Sequence, residues 1–158
     1  MLRELQVIMG KPAVSSYKAG EETITTGMAV VKNETDKTFE FASAETAADL
    51  YFVDKERIPT GINAARENMS DYDADFTTLV EGDFGKLINY LPGERFATDA
   101  YVETGIVAGV RLSANTAGKI VKAAATVASK YVCGGFYTDN GHKLVIVEVS
   151  DTVGKNAS

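Results

Sequence analysis

The sequence has one cysteine, one histidine and no tryptophan among its 158 residues. Because a disulfide joins two cysteines, Cys133 cannot form one within the chain, which favours a reducing compartment or a fold that needs no covalent staple. The usual zinc sites take three or four nitrogen and sulfur ligands, more than Cys133 and His142 supply. These shortages exclude the disulfide-rich class and the common single-chain zinc proteins.

Long apolar runs and basic clusters are also lacking. No run approaches the ~20 apolar residues that span a bilayer, and residues 1–5 do not resemble the start of a secretory signal peptide. Acidic residues number 22 against 16 basic ones, and the formal charge of −6 opposes binding to a phosphate backbone. We therefore expect a chain made in the cytoplasm that contacts neither a membrane nor nucleic acid directly.

The common catalytic motifs are missing. The sequence contains no phosphate-binding G-x-x-x-x-G-K-[ST] or G-x-G-x-x-G loop and no G-x-S-x-G nucleophile elbow. A small hydrolase that uses Asp71, Asp73 or Glu81 is the remaining enzymatic hypothesis, and no cluster of pocket-forming aromatic residues supports it. We therefore predict that the protein is not an enzyme and has no catalytic or cofactor-binding residues.

One acidic segment, residues 71–81, resembles a cation site in part. Asp71, Asp73 and Asp75 have the spacing of the first half of a calcium-binding loop. The sixth position is Phe76 instead of the required glycine, and the twelfth is Gly82 instead of a bidentate glutamate. The pattern favours a long solvated acidic loop over a metal site.

Residues typical of β-strands are abundant, with 16 valines, 8 isoleucines and 15 threonines. Short apolar runs between turn residues predict strands at 23–32, 38–41, 49–53, 76–80, 87–91, 101–104, 106–112 and 119–124. Pro92-Gly93 ends one of these runs, and no strand is predicted at 92–99. The segment 119–130 has a helical alternative, because apolar residues also recur there at helical spacing, but its strand-forming neighbours favour a strand.

The clearest local signal is Asn140-Gly141, which predicts a two-residue type I′ turn between two strands. In this register facing residue numbers sum to 281, so Tyr137 faces Leu144 and Cys133 faces Glu148. Cys133 and His142 then lie ~20 Å apart at 3.3 Å per residue, too far for a nucleophile pair.

The same register predicts the faces of this hairpin. One face is wholly apolar and contains Val132, Phe136, Val145, Val147 and Val149. The other is mixed, as expected where a sheet meets an interface or partial solvent. Gly134-Gly135 in mid-strand indicates a bulge or a close approach by another main chain.

These patterns predict an all-β, mainly antiparallel fold, a small β-barrel or sandwich. Residues 1–21 are expected to be an extended N-terminal arm, residues 22–150 a single β-rich domain, and residues 151–158 a flexible tail. The long acidic loop lies within the domain. Removal of residues 1–20 is expected to leave the fold intact and to weaken attachment to a partner.

The succession of strands and Gly-Lys or Gly-Glu turns resembles small β-barrel decoration (cement) or head-fibre-base proteins of tailed bacteriophages. The resemblance covers less than half of the chain, residues 82–149, and no active residue of the family exists to carry over. The segments that carry it are residues 84–88, 92–99, 118–123 and 131–136.

The resemblance implies a structural virion protein, often a homotrimer, that binds the major capsid protein on the capsid exterior. In this reading the protein stabilises the assembled capsid. The alternative is a carbohydrate- or receptor-binding module on a phage tail or fibre, in which exposed tyrosines such as Tyr72 or Tyr101 contact a sugar.

Overall fold

A computed structural model of the protein describes residues 1–8, 13–14, 16–20, 23–54 and 77–157, with the main chain alone at 13–14. All fourteen regular elements of these residues are β-strands, so the predicted all-β class is confirmed. The predicted acidic loop lies mostly outside the described residues. The strands are β1 (Leu2–Gln6), β2 (Ala13–Val14), β3 (Lys18–Ala19), β4 (Ile24–Thr25), β5 (Ala29–Asn33), β6 (Thr38–Glu40), β7 (Tyr51–Asp54), β8 (Thr78–Leu79), β9 (Lys86–Ile88), β10 (Arg95–Thr98), β11 (Leu112–Ala114), β12 (Ile120–Lys122), β13 (Ser129–Asp139) and β14 (His142–Gly154).

The main sheet contains four antiparallel strands in the order β1, β10, β14 and β13. Phe96 of β10 faces Val147 of β14, and Tyr137 of β13 faces Leu144 of β14. Side chains alternate between the two faces of a sheet. Phe96, Val145 and Val147 lie on one face and are fully buried, so this face forms one wall of the core.

The second sheet has six strands in the order β2, β9, β7, β5, β6 and β3, and all neighbours are antiparallel except β6 and β3. The other side of β3 contacts the residues just before β9. The Ala19 N–H donates to the Asp83 carbonyl and the Gly82 N–H to the Ala19 carbonyl, both at 2.8 Å. The sheet therefore curls back towards β9 and forms a half-barrel, flanked by the two-stranded pairs β4–β8 and β11–β12.

Four aromatic rings join the two sheets. Phe52 of β7 has its centroid 4.4 Å from Phe96, 5.7 Å from Tyr131 and 5.9 Å from Tyr90. Tyr90 stacks on Phe96 at 4.1 Å with the planes 12° apart. All four side chains are fully buried, and offset or tilted pairs of this kind add to the stability gained from burial.

A second core fills the curled sheet. Strands β5, β7 and β9 of this sheet have buried side chains on both faces; in β7, for example, Phe52 points to the aromatic cluster and the next residue, Val53, points into the curl. The buried residues inside the curl are Tyr17, Ala19, Ile24, Val30, Phe39, Val53, Leu79 and Leu87.

The start of the expected arm belongs to the main sheet. Residues 2–6 are extended, as predicted, but they pair with β10 from Leu2 opposite Thr98 to Gln6 opposite Arg95. Met1 is only 6% exposed. Ala13–Val14 pairs with β9 in the second sheet. The boundary predicted at residue 21 is therefore wrong, because these strands find their partners more than 70 residues along the chain, where local patterns carry no signal.

Glu94 fixes the end of β1 to the turn before β10. This side chain is 1% exposed. Its Oε2 accepts the Leu91 N–H at 2.8 Å, and its Oε1 accepts the Ile8 N–H at 3.2 Å. A buried carboxylate is tolerated here because main-chain donors satisfy both of its oxygens.

The predicted C-terminal tail is also part of the fold. β14 continues to Gly154, so the boundary expected at residue 150 falls within a strand. Beyond it, Asn156 Oδ1 accepts the Arg111 N–H at 2.7 Å, and its Nδ2 donates to the carbonyls of Arg111 and Ala123 at 2.9 and 2.7 Å. The Asn156 amide therefore replaces a main-chain partner beside β11 and holds residues 155–157 in place.

The predicted pairing of the hairpin is confirmed near the turn, but its register shifts by one residue further from the turn. Asn140 and Gly141 have φ angles of 52° and 86°, as a type I′ turn requires, and Tyr137 faces Leu144. The predicted bulge occurs between Cys133 and Gly135, so Cys133 faces Val147 instead of Glu148. A one-residue shift moves side chains to the other face. Tyr131 and Cys133 therefore enter the core in place of Val132.

Three further strand predictions have mixed outcomes. Residues 101–110 form a loop instead of two strands, because Gly105 and Gly109 adopt φ angles of 73° and 87° and reverse the chain. β10 lies within 92–99, where no strand is predicted. The strand at 119–124 is confirmed as β12, and a turn at 124–127 followed by β13 replaces the helical alternative.

Candidate functional site

The chemically reactive side chains considered from the sequence are not brought together. Cys133 is buried opposite Val147, and His142 is exposed beside the turn, five positions away along β14 or roughly 17 Å. Burial raises the pKa of the Cys133 thiol and disfavours the nucleophilic thiolate. Within the described ranges, no group of three or more His, Cys, Asp or Glu side chains could hold a metal.

The acidic segment is only partly described. Asp71, Asp73 and Asp75 lie outside the described residues, and Glu81 is exposed in the turn before β9. Of the two tyrosines considered for sugar contact, Tyr72 lies outside the described residues as well. Tyr101 is half-buried with its centroid 5.9 Å from that of Phe136, and burial raises its pKa. Phe136 therefore covers part of the Tyr101 ring.

An open strand edge lies at one end of the main sheet. Asp139 and His142 are the hydrogen-bonded pair that closes the two-residue hairpin. Hydrogen bonding alternates along an antiparallel strand, so the N–H and C=O groups of Phe136 and Thr138 point away from β14. Further along, the Cys133 N–H and C=O bond to Val110 and Gly109, but no described strand pairs with residues 136–138. We call residues 136–138 the β13 edge.

Exposed apolar side chains flank both ends of the main sheet. Phe136, Tyr137 and the neighbouring loop residue Val107 are exposed at the β13 edge. Leu5, Val7 and Ile8 are exposed at the opposite end, and we call these three residues the β1 surface. Grouped apolar side chains of this kind mark contact surfaces more often than isolated ones do.

A cavity of about 540 Å³ opens where β5 extends beyond β7. Successive side chains of a strand point to opposite faces, so a cavity that touches both Val31 and Lys32 runs along the edge of β5. We call this cavity the β5 notch. Its lining residues are Val31, Lys32, Glu34, Thr46, Ala48, Asp49 and Tyr51.

The notch exists because the two strands differ in length. The last pair between them is Val30 opposite Tyr51, and continued pairing would place position 49 opposite Lys32. Asp49 instead has a φ angle of 52°, a left-handed conformation that turns the main chain away. Ala48 then turns back on Thr46, whose Oγ1 accepts the Ala48 N–H at 3.1 Å.

Charged and aromatic side chains form one wall of the notch. Glu34 accepts from Lys32 and Lys37 at 3.0 Å each and from the hydroxyl of Tyr17. The Lys32 ammonium lies 4.8 Å from the centroid of Tyr51 and 5.2 Å from that of Tyr17, so it is held between two ring faces. These contacts fix the wall and leave the charges of Lys32 and Glu34 mutually compensated.

The hydrogen bond from Tyr17, followed by those from Lys37 and Lys32, lowers the pKa of Glu34 from its ordinary 4.5 to about 2. Because the pKa falls on folding, these contacts stabilise the fold above pH 4.5, and that stabilisation is lost as the pH falls through about 2.

We expect Tyr17→Phe to raise the pKa of Glu34 towards 4.5, measured by NMR titration of its carboxyl carbon. Tyr137→Phe, in β13 of the main sheet, should leave the Glu34 pKa unchanged, and an equal response of both variants would contradict the assignment.

Two further findings concern relatives of the chain and membrane-spanning helices. Comparison with protein-family models, curated proteins and solved structures gave no match. In the part of the chain that the structure describes, no helix combines the length and the apolar character needed to cross a membrane. The assignment of function therefore rests on the geometry of the surfaces above.

Sequence reasoning did not identify the notch residues. Lys32, Glu34 and Asp49 are ordinary charged residues in sequence, and only their arrangement around the end of β7 makes a site. The one available signal was the polar segment 33–36, which predicts the turn after β5 but not the length of the strand beside it.

Proposed function

We propose that the protein is a non-enzymatic structural virion protein of a tailed bacteriophage, a decoration protein that binds and stabilises the assembled capsid from outside. The single observation that supports this most is the main sheet, in which no described strand covers the β13 edge at one end and the apolar β1 surface lies at the other. Uncovered edges and apolar patches promote association, and a role in assembly gives them partners.

The same sheet supports self-association into a homotrimer. The β13 edge and the β1 surface are different, so contact of one with the other is head-to-tail, and such contacts close into rings when the rotation permits. A two-fold dimer would need the same surface twice. A ring of three copies covers every β13 edge with the β1 surface of the next copy.

The proposed partner is the major capsid protein, on the exterior of the particle. The acidic net charge of −6 supports contact with protein over contact with the packaged nucleic acid. Extended segments of one protein bind commonly to open strands of another, and this chain offers such a strand at the β13 edge and at the β5 notch.

The trimer is tested with a substitution that prevents strand pairing at the β13 edge. We expect the purified protein to have three times the 16.9 kDa chain mass in light scattering. Thr138→Pro removes an outward N–H and places a proline ring on the edge, so it should give monomers. Thr138→Val keeps the N–H and should remain trimeric. A wild-type monomer, or a trimer that withstands Thr138→Pro, would overturn this arrangement.

Attachment is tested by co-sedimentation with capsids assembled from the major capsid protein of the same phage. We expect the wild-type protein to pellet with capsids and to remain in the supernatant without them. A protein that never pellets with capsids but binds a glycan array would favour the alternative of a carbohydrate-binding module on a tail or fibre.

A further inference from the structure

We infer that the β5 notch binds an extended, basic peptide segment, which adds a short strand to β5 where β7 ends. This inference rests on the proposed function, in which the segment belongs to the capsid protein. The notch and the β13 edge lie on different sheets, so the two surfaces can be tested separately.

The main chain of β5 carries an open position inside the notch. The Val53 N–H bonds to the Met28 carbonyl on the β7 side of the strand, whereas the Ala29 N–H bonds to the Gly118 carbonyl on the other side. Hydrogen-bonding directions alternate along an antiparallel strand, so the N–H and C=O of Lys32 also face the β7 side. No described residue pairs with them there, because β7 begins opposite Val30.

Charge determines the kind of segment. Within the lining of the notch Lys32 compensates Glu34, and Lys37, which also bonds to Glu34, is not a lining residue, so Asp49 leaves the lining with one negative charge in excess. The exposed carboxylate of Asp49 makes no ion pair or hydrogen bond with any described residue and lies where a strand added to β5 would pass. A lysine or arginine side chain of an incoming strand can pair with Asp49, whereas an acidic one is repelled by Asp49 and by the net charge of the protein.

The size and lining of the notch fit a short stretch of main chain. Its volume of about 540 Å³ lies within the range of ordinary ligand pockets, too small for a folded element. Val31, Ala48 and the Tyr51 ring supply apolar contacts, and the Thr46 hydroxyl can donate and accept. Main-chain hydrogen bonds would give affinity, and Asp49 would give selectivity for basic side chains.

The test uses the full chain and an acetylated, amidated hexapeptide that alternates lysine and valine. NMR titration should shift the Lys32 amide signal and slow its hydrogen exchange. The same peptide with every backbone amide between its residues N-methylated should bind about tenfold more weakly or not at all, since neither of its edges can donate main-chain hydrogen bonds to β5. A peptide that alternates glutamate and valine should not bind.

The matched variants are Asp49→Asn and Asp151→Asn. Asparagine tolerates the left-handed conformation at position 49, so the first variant removes the charge and keeps the fold, which circular dichroism verifies. We expect Asp49→Asn to weaken peptide binding about threefold. Asp151→Asn removes an exposed charge outside the notch and should bind the peptide like the wild type.

Equal binding of the methylated and unmethylated peptides, or of the two variants, would overturn the inference. Capsid co-sedimentation separates this failure from failure of the proposed function. If the wild-type protein pellets with capsids but does not bind the peptide, the capsid role stands and only the notch as a peptide site is refuted. Peptide binding without capsid attachment would retain the notch as a peptide site and refute the capsid partner.

Discussion

Removal of residues 1–8 is expected to lower the free energy of unfolding by roughly 4–8 kcal/mol, which is comparable to the whole stability of a domain of this size. The deletion removes β1 and with it the burial of Met1 and Leu2. It also exposes the edge of β10 and leaves the buried Glu94 without its Ile8 donor. Urea unfolding followed by circular dichroism measures the loss.

The control for this deletion is Gln6→Ser, which keeps the main chain of β1 and changes an exposed side chain outside the β1 surface. Surface changes of this kind usually cost less than about 0.5 kcal/mol. A truncated protein that unfolds at the same urea concentration as Gln6→Ser would show that β1 is an independent arm, as the sequence alone suggests.

The hairpin shows what local sequence can predict. Asn140-Gly141 determines the turn, because both positions need positive φ angles that these residues tolerate. Gly134-Gly135 indicates the bulge, but which residues are buried depends on which strand carries the extra residue. Since the shift falls on β13, Tyr131 and Cys133 are buried, and the apolar face predicted from the unshifted register is wrong beyond the bulge.

The remaining errors concern strands that depend on distant partners. β10 has only Phe96 and Thr98 as strand-favouring residues and follows the Pro92-Gly93 turn signal, yet it lies between β1 and β14. Its strand conformation comes from pairing with residues 2–6 and 145–148. The loop at 101–110 shows the opposite case, in which two glycines at positive φ override strand-forming neighbours.

The candidate sites were beyond prediction for a related reason. The β5 notch depends on a difference in length between β5 and β7 and on the left-handed conformation of Asp49. No sequence motif predicts the difference in strand length or the conformation of Asp49. The predicted hairpin placed a mixed face of side chains towards an interface, but it did not anticipate the β13 edge, which consists of main-chain groups in the plane of the sheet. Its position at the end of the main sheet emerged only from the strand order.

Phe52→Ala is expected to lower the free energy of unfolding by about 3–5 kcal/mol, the usual cost of removing a buried phenylalanine. Phe52 is fully buried and contacts the rings of Tyr90, Phe96 and Tyr131. Its loss leaves a cavity between the main sheet and the half-barrel. Chemical unfolding at equilibrium gives the change, and Phe52→Leu should cost less because more of the volume is kept.

Tyr131→Phe is the matched control, since it keeps the ring and removes a hydroxyl whose bond to the Leu50 carbonyl is long, at 3.5 Å. We expect it to cost less than about 1 kcal/mol. A cost of Phe52→Ala no greater than this would show that the aromatic cluster does not hold the sheets together. If the cluster joins the two sheets, Phe52→Ala should also weaken the coupling between them. The half-barrel and the main sheet would then unfold separately, and the unfolding curve of this variant alone would show a second transition.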